Sequence, residues 1–296
     1  MIVVHLSGGL GNQMFQYAAG RALALRRGVD LRFDVRSFKK YKLHHGYQLD
    51  LVFNCKGSIA SSIDISRALG WRAVLPIRYT FFMASVYLFR SKNLMVESDF
   101  SYLAAYEDAP RKCYLFGYWQ SEKYFSELAA LIRNDFVFKR PLSGENATVA
   151  SAISSLNSIS MHVRRGDYIK NQATLAKHGL CSLEYYQNAI DRIIQLVKEP
   201  AFFIFSDDIE WVKRNIVIDY PCKFIDQNSG ADSFFDMSLM SMCKHHIIAN
   251  SSFGWWGAWL ASSPEQIVIA PEPWFDDATI DSGDLLPDRW IKLAKN

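Results

Sequence analysis

The sequence predicts an α/β fold in two lobes, and three observations carry that expectation: the chain length, an opening strand, glycine turn and helix, and a second half in which strand-like and helical runs alternate. With 296 residues the chain exceeds a comfortable single core and suits two domains of ordinary size. Half of its residues are apolar and 14% are aromatic, which supplies interiors for both domains and excludes disordered, collagen-like and low-complexity classes.

Residues 2–7, IVVHLS, form a compact apolar run; GGLGN breaks it, and QMFQYAAGRALALRR then carries apolar residues at helical spacing. After Gly28 a short run, VDLRFD, ends in Asp34, and residues 40–135 mix aromatic-rich segments with polar turns without a regular period. Near residue 140 the chain turns polar and glycine-bearing (KRPLSGENAT). There we set a boundary between an N-terminal domain, 1–142, and a C-terminal domain, 143–296. The second half offers strand-like runs at SISMHV, AFFIF, CKFI, HHIIAN and QIVIA, separated by helical patterns such as SLEYYQNAIDRIIQLVK and DSFFDMSLMSMCK. Strands alternating with helices imply a parallel sheet covered on both faces.

A net charge of +3 falls short of the basic stripe that nucleic-acid binding needs, and suits a local anion such as a phosphate ester. The five cysteines, Cys55, Cys113, Cys181, Cys222 and Cys243, are odd in number and show no CxxC spacing, which points to reduced thiols in a cytosolic compartment. MIVVHLSGG lacks the basic region of a signal peptide and reads as a first strand. The stretch 79–89, YTFFMASVYLF, sits between Arg78 and Arg90 and is far shorter than the roughly 20 residues of a membrane span. It reads as a buried helix, with weak peripheral contact at the inner membrane face as the alternative. The sequons at Asn146 and Asn250 read as chance occurrences in a chain without a secretory signal.

Four motifs carry candidate chemistry. In GGLGNQ (residues 8–13), glycines let a ligand approach the backbone while the following helix offers free N–H groups and a positive dipole end. The same loop also reads as a structural turn, or as a dinucleotide fingerprint with Asp34 on the ribose, although the third glycine of GxGxxG would fall at Met14. In HVRRGDY (residues 162–168), His162 and Arg164 share one face of an extended chain with Arg165 opposite, and Arg164 is the donor-phosphate candidate because a guanidinium grips phosphate in a fork. Arg165 and Asp167 equally suit an ion pair that braces the turn, and RGD recognition would need an exposed loop. In FSDD (205–208), Ser206 or Asp207 caps the next helix, or Asp207 accepts bonds from guanine or ribose. In NSSFGWWGAW (250–259), Ser251 and Ser252 enter a helix and present O–H and N–H donors together. Trp255, Trp256 and Trp259 read first as core and second as a sugar platform.

In this order, GGLGNQMFQYA, HVRRGDY, FSDD and ANSSFGWWGAWL resemble the bacterial α-1,2-fucosyltransferases of glycosyltransferase family 11, across both halves of the chain. The segment from about 50 to 110 carries none of the motifs. The resemblance implies a GT-B-like fold: two Rossmann-like domains facing across a cleft, with the nucleotide mainly on the C-terminal one. It implies inverting transfer of L-fucose from GDP-β-L-fucose to the 2-hydroxyl of a terminal galactose in a glycan acceptor, with no metal and no cofactor beyond the donor. On it, Arg164 neutralises the β-phosphate, His162 supports the nucleotide, Asp207 binds guanosine and Ser251 or Ser252 donates to the phosphates. Gly9 and Gly11 attend the donor, and their loop, with Asn12, faces the reacting sugar. Asp167 is the nearest carboxylate for a general base. The rivals are a transferase using another GDP- or UDP-sugar, a nucleotide-sugar-binding protein without transfer, and an NAD-dependent oxidoreductase.

Overall fold

The computed structural model describes residues 1–39, 45–74, 92–97, 99–166, 169 and 171–296. The apolar stretch 79–89 and Asp167 lie outside the described residues. Two compact units are present: Met1–Lys139 with Gly283–Leu285, and Arg140–Ser282 with Leu286–Asn296.

The first unit is built on five parallel strands, β1 Ile2–His5, β2 Leu31–Asp34, β3 Ser58–Ile59, β4 Leu94–Val96 and β5 Cys113–Phe116, in the order β3-β2-β1-β5-β4. Central β1 is buried along its whole length, as a strand covered on both faces must be. Helix α1, Leu10–Arg27, follows it and ends where Gly28 takes a left-handed φ of 60°, its N–H closing onto Ala24 and Leu25. Arg26 and Arg27 complement the negative end of that helix. Gly20 supplies the close helix-to-strand contact that the fingerprint would assign to Met14: a Cβ there would stand 2.2 Å from Val4 Cγ2. Behind α1, Tyr17 packs on Phe33 and Phe136 and donates at 2.8 Å to Asp135, which also pairs with Arg21 at 2.9 Å.

Asp34 does not await a ribose. Arg36 grips both of its oxygens, at 2.7 and 2.6 Å, and Tyr114 donates at 2.7 Å. Burial pushes this carboxyl up, but the Arg36 and Tyr114 bonds outweigh that and hold it below the ordinary aspartate range. Asp284, in the short return segment, accepts from Tyr102 N at 2.7 Å and pairs with Lys123.

The second unit opens with α2, Gly144–Ser155, and carries six parallel strands: β6 Asn157–Val163, β7 Pro200–Ser206, β8 Cys222–Ile225, β9 His245–Ile247, β10 Val268–Glu272 and β11 Ile291–Ala294. Their order, β11-β10-β9-β6-β7-β8, is the doubly wound Rossmann pattern, with the reversal between β6 and β9. Alternation along β6 sorts its side chains by face. Ile159, Met161 and Val163 join a core with Tyr185, Ile190 and Ile193 of α3 (Leu183–Ile194) and Val212 of α4 (Ile209–Asn215). Ser158, Ser160 and His162 are buried on the other side, where Phe253 of α6 (Ser252–Leu260) packs near the His162 ring. Helix α5, Phe234–Met242, packs on α6 so closely that a Cβ at Gly257 would stand 2.9 Å from Met240 Cε.

All five cysteines are free thiols, and among the described residues no helix is long and apolar enough to cross a membrane. Asn250 is buried and Asn146 is bonded to Asn228, so neither sequon asparagine stands clear of its neighbours.

Gly20→Ala is expected to destabilise the protein in thermal unfolding. The 2.2 Å clash sets an overpacking cost near the top of the ~1–3 kcal/mol range, beyond the ~1 kcal/mol that Ala gains over Gly in a helix. Val4→Ala in the same chain should return part of that loss, because it removes the atom that Cβ meets.

Candidate active site

In an open parallel sheet a ligand crevice opens at the carboxyl ends of the strands where the strand order reverses. In the second unit those strands are β6 and β9, paired in register as Ile159↔His245 and Met161↔Ile247. HVRRG leaves the end of β6, and IANSS leaves the end of β9 into α6. Two of the four motifs, more than eighty residues apart in sequence, therefore meet at one place, and the β6–β7 register, with Val163 opposite Ser206, adds a third, FSDD.

Asp207 is the brace of that place. Its Oδ1 accepts Arg165 N at 2.9 Å, the Gly166 N–H also bonds to it, and its Oδ2 lies 3.4 Å from an Arg164 Nη. Gly166 packs against it, since a Cβ there would stand 3.1 Å from the Asp207 carbonyl. Burial raises this carboxyl, but Arg164 and the two N–H groups prevail and hold it below the ordinary aspartate range. The helix cap expected at Ser206 or Asp207 falls to Asp208, whose Oδ1 accepts Trp211 N at 3.3 Å. Ser206 instead accepts Asp208 N at 3.0 Å. Arg165 turns away from this cluster, with its guanidinium 4.2 Å above the Trp211 ring and 3.8 Å from Asp208.

Arg164 thus stands at the end of β6 beside the Asp207 carboxylate, with partial exposure, 24% for its side chain. His162, two residues before it, is buried; burial first and the Arg164 charge second push its imidazole down to about 4, so it is neutral at pH 7. Its Nδ1 faces Gly254 of α6, where an added Cβ would come within 2.6 Å. The glycine in FGWW is therefore the residue that lets helix and histidine approach.

Ser251 is the N-cap of α6, its Oγ accepting Phe253 N at 3.3 Å, and Ser252 is the first helical residue. Their loop is pinned by Asn250, whose Nδ2 donates to the His178 and Trp274 carbonyls at 2.7 and 3.1 Å. Buried Lys295 donates to the same His178 carbonyl at 2.9 Å. The first turn of α6, with the positive end of its dipole, has the character of an anion-binding end. Trp255, Trp256 and Trp259 are buried and pack on one another, and Trp255 also packs on Trp290, so they are core rather than a sugar platform.

The glycine loop belongs to the first unit. Gly8, rather than Gly9 or Gly11, holds the left-handed conformation, with φ +76°. Gly9 is the N-cap of α1 and Gly11 lies buried in its first turn. Asn12 Oδ1 accepts from Gln120 Nε2 at 2.8 Å, and Gln13 bridges the carbonyls of Gly8 and Gly46.

Sequence reasoning missed two acids. Glu97 follows β4 in a stretch without motifs, and burial pushes it up to about 7. Asp236, in the first turn of α5, is likewise pushed up to about 7 by burial and accepts Asn228 Nδ2 at 2.8 Å. Asp236 sits inside the apolar run FFDMSLM, and Glu97 follows the short run LMV with no motif around it. Among the described residues no cluster of His, Cys, Asp and Glu has the makings of a metal site.

Because the Asp207 carboxyl is held low in the folded chain, its contribution to stability is present above the unfolded aspartate value of ~3.9 and is lost as pH falls through the folded value. Asp207→Asn should therefore be less stable than wild type in urea unfolding at pH 7, with the gap closing as pH falls below the ordinary aspartate value. A gap that widens in acid would refute the brace.

Comparison with known proteins shows the family and the fold. The Glycosyl transferase family 11 profile matches residues 1–294. An alpha-1,2-colitosyltransferase of Escherichia coli is 36% identical over all of this chain and 99% of its own length. The O-antigen biosynthesis glycosyltransferase WbnK of the same species is 34% identical over 97% of this chain and 99% of its own. A bovine galactoside 2-alpha-L-fucosyltransferase, SEC1, is 30% identical over 50% of this chain and 42% of its own. Among solved structures, the Bradyrhizobium fucosyltransferase NodZ shares the fold at a TM-score of 0.51 and 13% identity, over 86% of this chain and 91% of its own. With two parallel-sheet α/β domains of GT-B type, the chain belongs to glycosyltransferase family 11.

Proposed function

We propose that the protein is an inverting α-1,2-fucosyltransferase that moves L-fucose from GDP-β-L-fucose to the 2-hydroxyl of a terminal galactose in an oligosaccharide or surface glycan. The observation that carries this reading is the meeting of braced Arg164 with the Ser251-capped end of α6 at the carboxyl ends of β6 and β9. A cation and a helix N-terminus together suit a diphosphate.

In the proposed reaction the galactose 2-oxygen attacks the anomeric carbon of fucose, and GDP leaves from the opposite side with the bonding electrons. Negative charge grows on the β-phosphate as that bond breaks. Arg164, and the N–H groups with the Ser251 and Ser252 hydroxyls, stabilise this charge more in the transition state than in the ground state. His162, neutral at pH 7, supports the nucleotide as a hydrogen-bonding group rather than as a charge. Asp207 acts by holding Arg164 and the turn, since its oxygens are already engaged by Arg164, Arg165 and Gly166. Arg164 and the α6 terminus supply positive charge without a metal ion, and the first domain takes the acceptor.

A second reading follows from the 36% identity to a colitosyltransferase: the donor sugar is colitose, the 3-deoxy analogue of fucose. The two donors share the diphosphate contacts and differ by one hydroxyl, so the site described here suits both.

Incubation with a galactoside and GDP-fucose, GDP-colitose or GDP-mannose separates these readings. Fucose transfer in a 1,2-linkage is expected; turnover with GDP-colitose alone selects the second reading, and turnover with GDP-mannose alone removes both. Arg164→Ala should lower kcat/KM by ~10²–10³, the loss typical of one oxyanion-stabilising donor. Arg164→Lys should recover it only in part, because a point charge cannot reproduce the guanidinium fork. Near-normal kcat/KM in the alanine variant removes Arg164 from the mechanism.

A further inference from the structure

The first unit has its own polar constellation at the carboxyl ends of its strands, centred on Glu97. That residue leaves β4 with its N–H on the Phe116 carbonyl at 2.9 Å, beside the loop 117–120 that leaves β5. Its Oε2 accepts two successive N–H groups of that loop, Tyr118 at 2.7 Å and Trp119 at 2.6 Å.

The loop is shaped around the carboxylate. Gly117 has φ +157°, and a Cβ there would stand 2.5 Å from Glu97 Cβ and 2.8 Å from Oε2, so only glycine lets the acid come so close. Trp119 is held at φ +58°, a left-handed conformation that is unfavourable for a non-glycine residue and that surrounding structure must offset. Its buried indole is clamped against Tyr124, with ring centroids 5.2 Å apart. The next residue, Gln120, donates to Asn12 Oδ1 at 2.8 Å, and Gln16 of α1 donates to the Gly117 carbonyl at 3.1 Å. One loop thus joins a carboxylate and two carboxamides.

Glu97 differs from the acids that merely brace this protein. Asp34 and Asp207 each face an arginine and are held below the ordinary aspartate range. Glu97 is only partly buried and has no cationic partner among the described residues; its Oε1 has the Tyr124 hydroxyl at 3.4 Å, longer than a good O–H···O bond. The groups facing it are the Tyr118 and Trp119 N–H groups, the Tyr124 hydroxyl and Asp99, and burial outweighs their bonds and raises it to about 7. A carboxylate held by the same loop as the Gln120 carboxamide, which in turn bonds Asn12, suits a hydroxyl-rich ligand, and such a carboxylate near pH 7 is poised to take a proton.

We propose that Glu97 accepts the proton of the acceptor sugar's reacting hydroxyl, with Asn12 and Gln120 binding neighbouring hydroxyls of that sugar. This rests on the glycosyl-transfer reading above. As the acceptor oxygen forms its bond to the anomeric carbon and GDP departs with the electron pair of the broken C–O bond, the hydroxyl proton passes to Oε1. Glu97 becomes a neutral acid and returns the proton to solvent.

The test is the pH profile of kcat/KM for fucose or colitose transfer in wild type, Glu97→Gln and Glu97→Asp, with GDP affinity measured alongside. Wild type should gain activity with rising pH through about 7, because the carboxylate is the active form. Glu97→Gln should lose roughly 10²–10⁴-fold together with that acid limb, while GDP affinity stays within ~3-fold. If Glu97→Gln does not fold, Glu97→Asp decides: the limb must move and kcat must fall. A variant profile parallel to that of wild type, or a loss confined to acceptor KM, overturns the proposal and leaves the transferase reading standing. Absence of transfer by the wild type from any GDP-sugar overturns both.

Discussion

The pairing of β6 with β9 is the constraint on which the second domain depends. Both strands run in the same direction, so their carboxyl ends share one edge of the sheet. From β6 the chain returns through α3 to β7, and from β9 it returns through α6 to β10; these helices cover opposite faces. The loops therefore part, and Arg164 and Ser251 are left at the place where they part. Alternation makes the arrangement exacting. Ile159, Met161 and Val163 must face the α3 core, which sends His162 toward Gly254 and the indole cluster of α6. A slip of one residue would bury serines against α3 and turn the histidine away.

The protein uses its carboxylates in opposite ways. Asp207 and Asp34 are kept ionised by arginine and by hydrogen bonds, and each fixes a turn at the end of a strand. Glu97 takes two N–H bonds on one oxygen without a cation, and burial prevails. Environment, more than residue type, separates a brace from a proton acceptor. The same logic explains His162 and His246, which burial holds neutral inside the sheet at about 4 and about 3.

Much of the second domain was legible because its central strands are buried on both faces and read as uninterrupted apolar runs: AFFIF, HHIIAN and QIVIA. Strand β11 escaped because IKLA is a short edge strand, half-exposed along most of its length. Helix α2 escaped because GENATVASAISS has little apolar periodicity, burying only Val149, Ala150 and Ile153. Between residues 40 and 135 the described strands are two to four residues long, and long-range side-chain bonds such as Tyr102 to Asp284 hold the connections in place. Local pattern carries no trace of these. At the site, Arg164 and Ser251 were readable from residue chemistry. The partners of Asp207 were not, because the register of β6 against β7 is what brings residues 164–166 beside it. Glu97 was invisible for a similar reason: the glycine and tryptophan that shape its surroundings lie twenty residues downstream, on the neighbouring strand's loop.

The central claim is that the donor diphosphate sits at the reversal point of the second sheet. Crystallography of the protein with GDP tests it most directly. The account predicts the β-phosphate within hydrogen-bond distance of the Arg164 guanidinium and of the first N–H groups of α6, with the Asp207 brace unchanged. A diphosphate seated on the glycine turn before α1, with no contact to Arg164, would contradict it.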